Sequence, residues 1–237
     1  MWLTNSSIGR KVIMSVTGLA LILFLTFHGS MNVAALFSKD AYNTICELLG
    51  ANWYAVVATL GLAFLAVLHI VYAFVLTIQN RRARGASSYK VTQKPDKVEW
   101  ASQNMLVLGI IVCLGLCLHL FNFWYNMMFA ELMGWENLAH SPADGFGWIV
   151  ETFSCPVYVV LYIIWLCALW FHLTHGFWSA MQTLGWNGKV WFCRWRVIGC
   201  IYVTLLVLMF LVVVLAFAFG CAPSLCDGTC CGSGCAA

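Results

Sequence analysis

The chain has 237 residues, 62% of them hydrophobic and only 9% charged, with a formal net charge of +3. So few charges cannot cover a soluble globule of this size, and most of the surface must meet lipid. The basic residues cluster beside apolar runs, where membrane topology accounts for them and no nucleic-acid partner is called for.

In chain order, five apolar runs are long enough to cross a hydrocarbon core of about 30 Å. They cover residues 12–37, 53–79, 101–129, 155–183 and 196–220. The polar start "TNSSIGRK" passes into a run too long for a signal-peptide core, so the first helix is expected to stay. No internal repeat or low-complexity linker divides the spans. The expected fold is an all-α integral membrane protein with one transmembrane domain over residues 1–220 and a Cys/Gly-rich tail over 221–237.

Alternate threading places Arg10, Lys11, Arg81, Arg82, Arg84, Lys90, Lys94, Lys97, Lys189, Arg194 and Arg196 on one side and only Lys39 on the other. Retained Lys and Arg mark the cytoplasmic side, so the amino terminus is expected inside and the carboxyl terminus outside. The acids reverse the bias: only Asp96 and Glu99 fall inside.

Ionisable side chains in a span are costly and usually face the bundle interior, so each one marks a candidate site. His28, His69, His119 and His172 fall one each in the first four spans, and the fifth has none. The expected bundle is therefore helices one to four, with the fifth peripheral. His28 lies 17 residues past Lys11 and His119 lies 19 past Trp100. At about 1.5 Å per residue both reach the outer half of the membrane. Entering from the other side, His69 is 16 residues past Trp53 and His172 is 16 past Pro156, so both sit in the inner half.

Two histidines at one depth on different helices supply the two axial nitrogens of a six-coordinate haem iron. The depths pair His28 with His119 and His69 with His172, with irons expected about 10 Å apart along the membrane normal plus a lateral offset. Gly115, four before His119, and Gly176, four after His172, offer room for a flat macrocycle, whereas helices one and two show no clear notch. Zinc or copper suits the pattern less, because no carboxylate or cysteine sits at a matching depth. His175, three residues from His172 on nearly the same face, is expected to contact a haem edge or a neighbouring helix, with the ligand role in place of His172 as the alternative, and His140 to be a solvated loop residue.

These residues give the chain a family likeness. The opening "SSIGRKVIMSVTGLALILFLTFH", with Ser15, Thr17 and Gly18 ahead of His28, and the fourth-helix "FHLTHGFWSAMQTLGW" resemble the cytochrome b membrane-anchor subunit of succinate dehydrogenase and fumarate reductase. The likeness is to the bacterial five-helix, two-haem type and runs from about residue 5 to residue 215. It implies two haem b groups, with His69 and His172 proximal and His28 and His119 distal, and menaquinone as the substrate. It further implies an iron-sulfur subunit and a flavoprotein docked on the cytoplasmic face of the bacterial inner membrane. A dimer of heterotrimers is an assembly open to such a chain. The enzyme is then the complex, with the dicarboxylate chemistry on another chain. Some members carry a glutamate two residues before the fourth ligand, where this chain has Trp170.

A quinone head group needs hydrogen-bonding groups beside an apolar cleft near the aqueous boundary. Glu47, Asn32, Asn122, Trp124 and Asn126 are candidates, with Glu47 as the proton carrier. Ser15, Arg10, Lys11 and Arg81 are candidates for haem propionates. Trp53, Trp148, Trp186 and Trp191 read as interfacial belt residues. The tail cysteines Cys221, Cys226, Cys230, Cys231 and Cys235 suggest a disordered or disulfide-linked end. Two other readings stay open: the cytochrome b of a hydrogenase, formate dehydrogenase or nitrate reductase, and a transporter or structural membrane protein without haem.

Overall fold

The computed structural model describes residues 6–84 and 100–225. Lys90, Lys94, Asp96, Lys97, Glu99, Cys226, Cys230, Cys231 and Cys235 lie outside the described residues. All regular structure among the described residues is helical: α1 (Ser7–Phe37), α2 (Lys39–Leu48), α3 (Trp53–Arg84), α4 (Trp100–Gln103) and α5 (Met105–His119). A π-helix (Leu120–Phe129) continues α5 into α6 (Ala130–Leu132), followed by α7 (Gly145–Ser154), α8 (Pro156–Thr183), α9 (Trp191–Ala218) and a 3₁₀ turn at Pro223–Leu225.

Five of these elements are long and apolar enough to cross a membrane: Ser7–Phe37, Trp53–Arg82, Met105–Leu132, Pro156–Thr183 and Trp191–Ala218. Their apolar side chains are largely left facing outward, as Leu23 at 71%, Phe64 at 65% and Leu114 at 65% exposure illustrate. In water that surface would be prohibitive, whereas lipid solvates it without cost. The first and fifth spans begin earlier than the apolar runs do, because polar residues at a membrane boundary do not interrupt backbone hydrogen bonding.

The chain forms two compact units. The first comprises Met1–Leu25, Thr59–Cys113 and Cys167–Leu205. In it Thr17, Leu108, Leu173 and Met181 are buried and Val203 is fully enclosed. Trp170 Nε1 donates to Thr204 Oγ1 at 2.9 Å, tying α8 to α9. The Phe177 ring lies against Gly199, where a β-carbon would collide with it. Trp178 meets Phe192 edge-on at 4.8 Å, and the Arg196 guanidinium lies 5.8 Å from the Trp178 ring.

The second unit comprises Thr26–Ala58, Leu114–Leu166 and Leu206–Ala237. Gly29 of α1 admits Met209 and Phe210 of α9, and the Ser224 hydroxyl donates to the Ala35 carbonyl at 2.6 Å. A polar corner joins α2 to α7, two helices too short and mixed in composition to stand out beside the spans. Ser38 caps α2 by accepting from Ala41 N–H, and Asp144 caps α7 by accepting from Gly147 N–H. Asn43 links the two, donating to Asp144 Oδ1 at 2.7 Å and accepting from Phe146 N–H at 3.0 Å.

Three expectations are corrected here. The fifth span is not peripheral: 33% of its most apolar window is buried, against none for the second span, which faces lipid. Histidine content misled because packing among apolar helices is set by shape and not by ligands. Trp148 is not a belt residue but is 6% exposed and donates to the Ser141 carbonyl at 3.1 Å. His140 is not simply solvated, since it packs edge-on against Trp148 at 5.3 Å with Glu151 3.5 Å away.

Burial pushes the Cys46 thiol in this corner up to about 11 and raises the Tyr42 phenol well above its ordinary value. At pH 8 about one Cys46 in a thousand is then the reactive thiolate. Asn43→Ala is expected to destabilise the corner by about 1–3 kcal/mol. It should lower the melting temperature and speed alkylation of Cys46 by N-ethylmaleimide at pH 8; a variant that melts and reacts like the parent would show that Asn43 does not hold the corner.

Candidate functional site

Within the first unit, the imidazoles of His69 on α3 and His172 on α8 lie with ring centroids 6.4 Å apart and planes crossed at 67°. Each ring lies against a glycine, tightly at Gly18 and at ordinary contact distance at Gly109. A β-carbon at Gly18 of α1 would stand 3.2 Å from His69 Cε1, and one at Gly109 of α5 would stand 3.6 Å from His172 Cε1. Thr17 of α1 orients the His69 ring, with its Oγ1 3.1 Å from His69 Nδ1. The Thr17 hydroxyl proton is directed to the carbonyls of Ile13 and Met14, at 2.8 and 3.1 Å. With the hydroxyl proton on those carbonyls the Thr17 oxygen accepts from the imidazole, an arrangement that pairs with the tautomer protonated at Nδ1 of His69.

Within the second unit, His28 on α1 and His119 at the end of α5 have ring centroids 5.7 Å apart and planes crossed at 81°. Aromatic rings surround this pair: Phe210 lies 5.8 Å from His28, and Phe123, Trp165 and Tyr162 lie 5.2, 5.7 and 6.3 Å from His119. Nδ1 of His119 and Nδ1 of His172 are buried with no hydrogen-bond partner among the described residues. Such atoms are uncommon in folded proteins and mark places where a partner is still owed. Among the described residues no three His, Cys, Asp or Glu side chains converge, so each pair offers two nitrogen donors and no further metal-ligating side chain.

The glycine reading is corrected in part. The space at Gly115 is taken by the Trp165 indole, which a β-carbon would strike, whereas Gly176 is open. On the first helix the space at Gly18 is taken by the His69 ring, so it too leaves no room for a macrocycle. The motif "SVTGL" held both the Thr17 oxygen and the Gly18 gap, but only the three-dimensional pairing of α1 with α3 gives them a function.

Ser15 is buried at 7% exposure in the first unit, and His175 is half-buried on α8. Arg10 is half-buried, while Lys11 and Arg81 are exposed. In the second unit Asn32 is committed to the protein: its amide donates to the His28 carbonyl at 2.8 Å, and its oxygen accepts from the Tyr42 hydroxyl at 3.2 Å. Glu47 is exposed and borders an open groove of about 370 Å³ with Asp40, Asn43, Thr44, Ser141, Ala143 and Asp144. Asn122 is buried and donates to Tyr162, and Trp124 has a buried, unpartnered indole nitrogen. Trp170, in place of the acid found in some members of the resembled family, is held by Thr204.

No known family model, curated protein or solved structure matches this chain.

Gly18→Val is expected to drive the His69 ring from its seat and destabilise the protein by about 1–3 kcal/mol. Gly61→Val on α3, where nothing lies within 4 Å of an added β-carbon, should be tolerated. Thermal melting of the two purified variants checks this, and equal melting temperatures would remove Gly18 from the site.

Proposed function

We propose that the chain is the dihaem cytochrome b anchor of a succinate dehydrogenase or fumarate reductase, carrying electrons between menaquinone and an iron-sulfur subunit. The observation that supports this reading is the meeting of four intramembrane imidazoles in two pairs. A metal–nitrogen bond of about 2.0–2.1 Å on either side, plus about 1.2 Å from nitrogen to ring centre, sets two axial rings about 6.4 Å apart. The 6.4 Å separation of His69 and His172 matches that requirement, and the 5.7 Å of His28 and His119 is about 0.7 Å shorter than it. Two donors per site also suit a group that brings its own four equatorial nitrogens.

In this reading His69 and His172 hold one haem b and His28 and His119 the other, and each haem, when bound, supplies reversible one-electron transfer. The chain's residues do the remaining work. Thr17 fixes the His69 tautomer so that Nε2 is available as the ligand nitrogen. Ser15 and His175 lie in the same unit as the first pair and are assigned to haem-edge or propionate contacts. The aromatic rings around His28 and His119 exclude water from the second pair. Glu47 at the boundary exchanges the protons of quinone chemistry, Trp124 belongs to the quinone side of the unit, and Asn32, engaged by the His28 carbonyl and Tyr42, steadies that side from within the protein.

The charge bias of the connecting segments supports an inner-membrane protein with a cytoplasmic amino terminus and an outer carboxyl terminus. The flavoprotein and iron-sulfur partners then dock on the cytoplasmic face, and the succinate and fumarate chemistry stays on the flavoprotein.

The reading predicts how haem content responds to single ligand losses. His69→Ala and His119→Ala should each halve the b-type absorbance of the purified complex, and the double variant should abolish it. Glu47→Gln should abolish quinol turnover with both haems retained. A covalent-flavin protein and an iron-sulfur protein should co-purify with the chain. Full b-type absorbance in the double variant would contradict the ligand assignment, and a molybdenum or nickel partner would overturn the family assignment.

A further inference from the structure

The segment after His119 is a π-helix of 10 residues, Leu120–Phe129. Long π-helices are rare, because their hydrogen-bond geometry is poorer, and they concentrate at functional sites. An α-helix turns about 100° per residue, which would put a residue five positions on about 140° away from its start. With i to i+5 bonding and about 4.4 residues per turn, the same residue falls within about 50°. The π-helix thus turns Trp124, five residues on, towards the His119 face, whereas Phe123, four residues on, shares that face in either kind of helix and lies 5.2 Å from the His119 imidazole.

The two asparagine amides of the segment are matched within the protein. Asn126 donates to the carbonyls of Phe121 and Asn122 at 3.2 and 3.0 Å, and Asn122 donates to the Tyr162 hydroxyl at 3.4 Å. Trp124 differs from them, since its Nε1 is buried without a partner among the described residues. An indole nitrogen can only donate, so what it lacks is an acceptor oxygen from outside the chain.

We propose that the Trp124 N–H donates to a carbonyl oxygen of the quinone, and that the π-helix is retained because it carries this donor to the His119 face. The proposal rests on the dihaem quinone-reactive reading and adds a named donor to it. A quinone is a flat apolar ring with acceptor carbonyls, and Trp124 offers one donor beside the Phe129 ring, 5.5 Å away. A haem carboxylate would offer the same acceptor chemistry, so the test must separate the two.

The complex is purified with Trp124→Phe, and separately with 3-benzothienylalanine at position 124, which keeps the indole shape and removes only the N–H. Binding of 2,3-dimethyl-1,4-naphthoquinone is measured by calorimetry and the haem midpoint potentials by redox titration. The expected result is a Kd about tenfold higher in both variants, with two haems at unchanged potentials. If the phenylalanine variant fails to assemble, the isosteric one decides. An unchanged Kd overturns the proposal, and an unchanged Kd with one shifted haem potential assigns the N–H to a haem carboxylate instead. A parent complex without b-type haem overturns the underlying reading and the proposal with it.

Discussion

Inside a hydrocarbon layer no water completes the bonding of a ring nitrogen, so every imidazole there must find its partners in protein or in a bound group. That constraint governs how the helices of each unit are arranged around His69 and His172, and around His28 and His119. In the first unit the backbone of α1 comes close enough to α3 for Thr17 to hydrogen-bond the His69 ring, and Gly18 supplies the gap that allows it. In the second unit the His119 ring is packed against aromatic side chains that offer it no acceptor at Nδ1. The two pairs therefore have different surroundings, one with a hydroxyl beside an imidazole and one without. Hydrogen bonding behind an imidazole raises its basicity, so such a difference separates the properties of two otherwise similar sites.

The same demand for internal satisfaction shapes the backbone. A π-helix in lipid must keep its carbonyls paired, and Asn126 does this from within the segment by donating to Phe121 and Asn122. Beyond the spans, at the corner of α2 and α7, polar side chains take over from helix packing. Asn43, Asp144 and Ser38 close the ends of short helices, and Asn32 joins Tyr42 to the turn of backbone that bears His28. The corner thus connects by hydrogen bonds to the carbonyl of a candidate ligand residue.

Much of the architecture was legible because lipid imposes a simple code. Length and apolarity define the five spans, and the histidines stood out because a titratable ring in oil is costly. Their matched depths follow from the constant rise of a helix, which needs no tertiary information. The misreadings came where apolar residues pack on apolar residues. Gly115 was read as room for a macrocycle but seats Trp165, and the fifth span was read as peripheral although Val203 is fully enclosed. Nothing in composition distinguishes a lipid-facing valine from a packed one. The π-helix escaped notice for a related reason, since its sequence "LFNFWYNMMF" carries no marker such as proline.

The crossed ring planes, 67° in one pair and 81° in the other, bear directly on the central claim that each pair grips one iron. Two axial imidazoles set near perpendicular leave the iron d-orbitals nearly degenerate, which gives a strongly anisotropic low-spin ferric resonance. Low-temperature electron paramagnetic resonance of the oxidised, purified protein is therefore the most direct measurement. The account predicts two such low-spin signals in equal amount, and an oxidised protein with no low-spin ferric signal would contradict it.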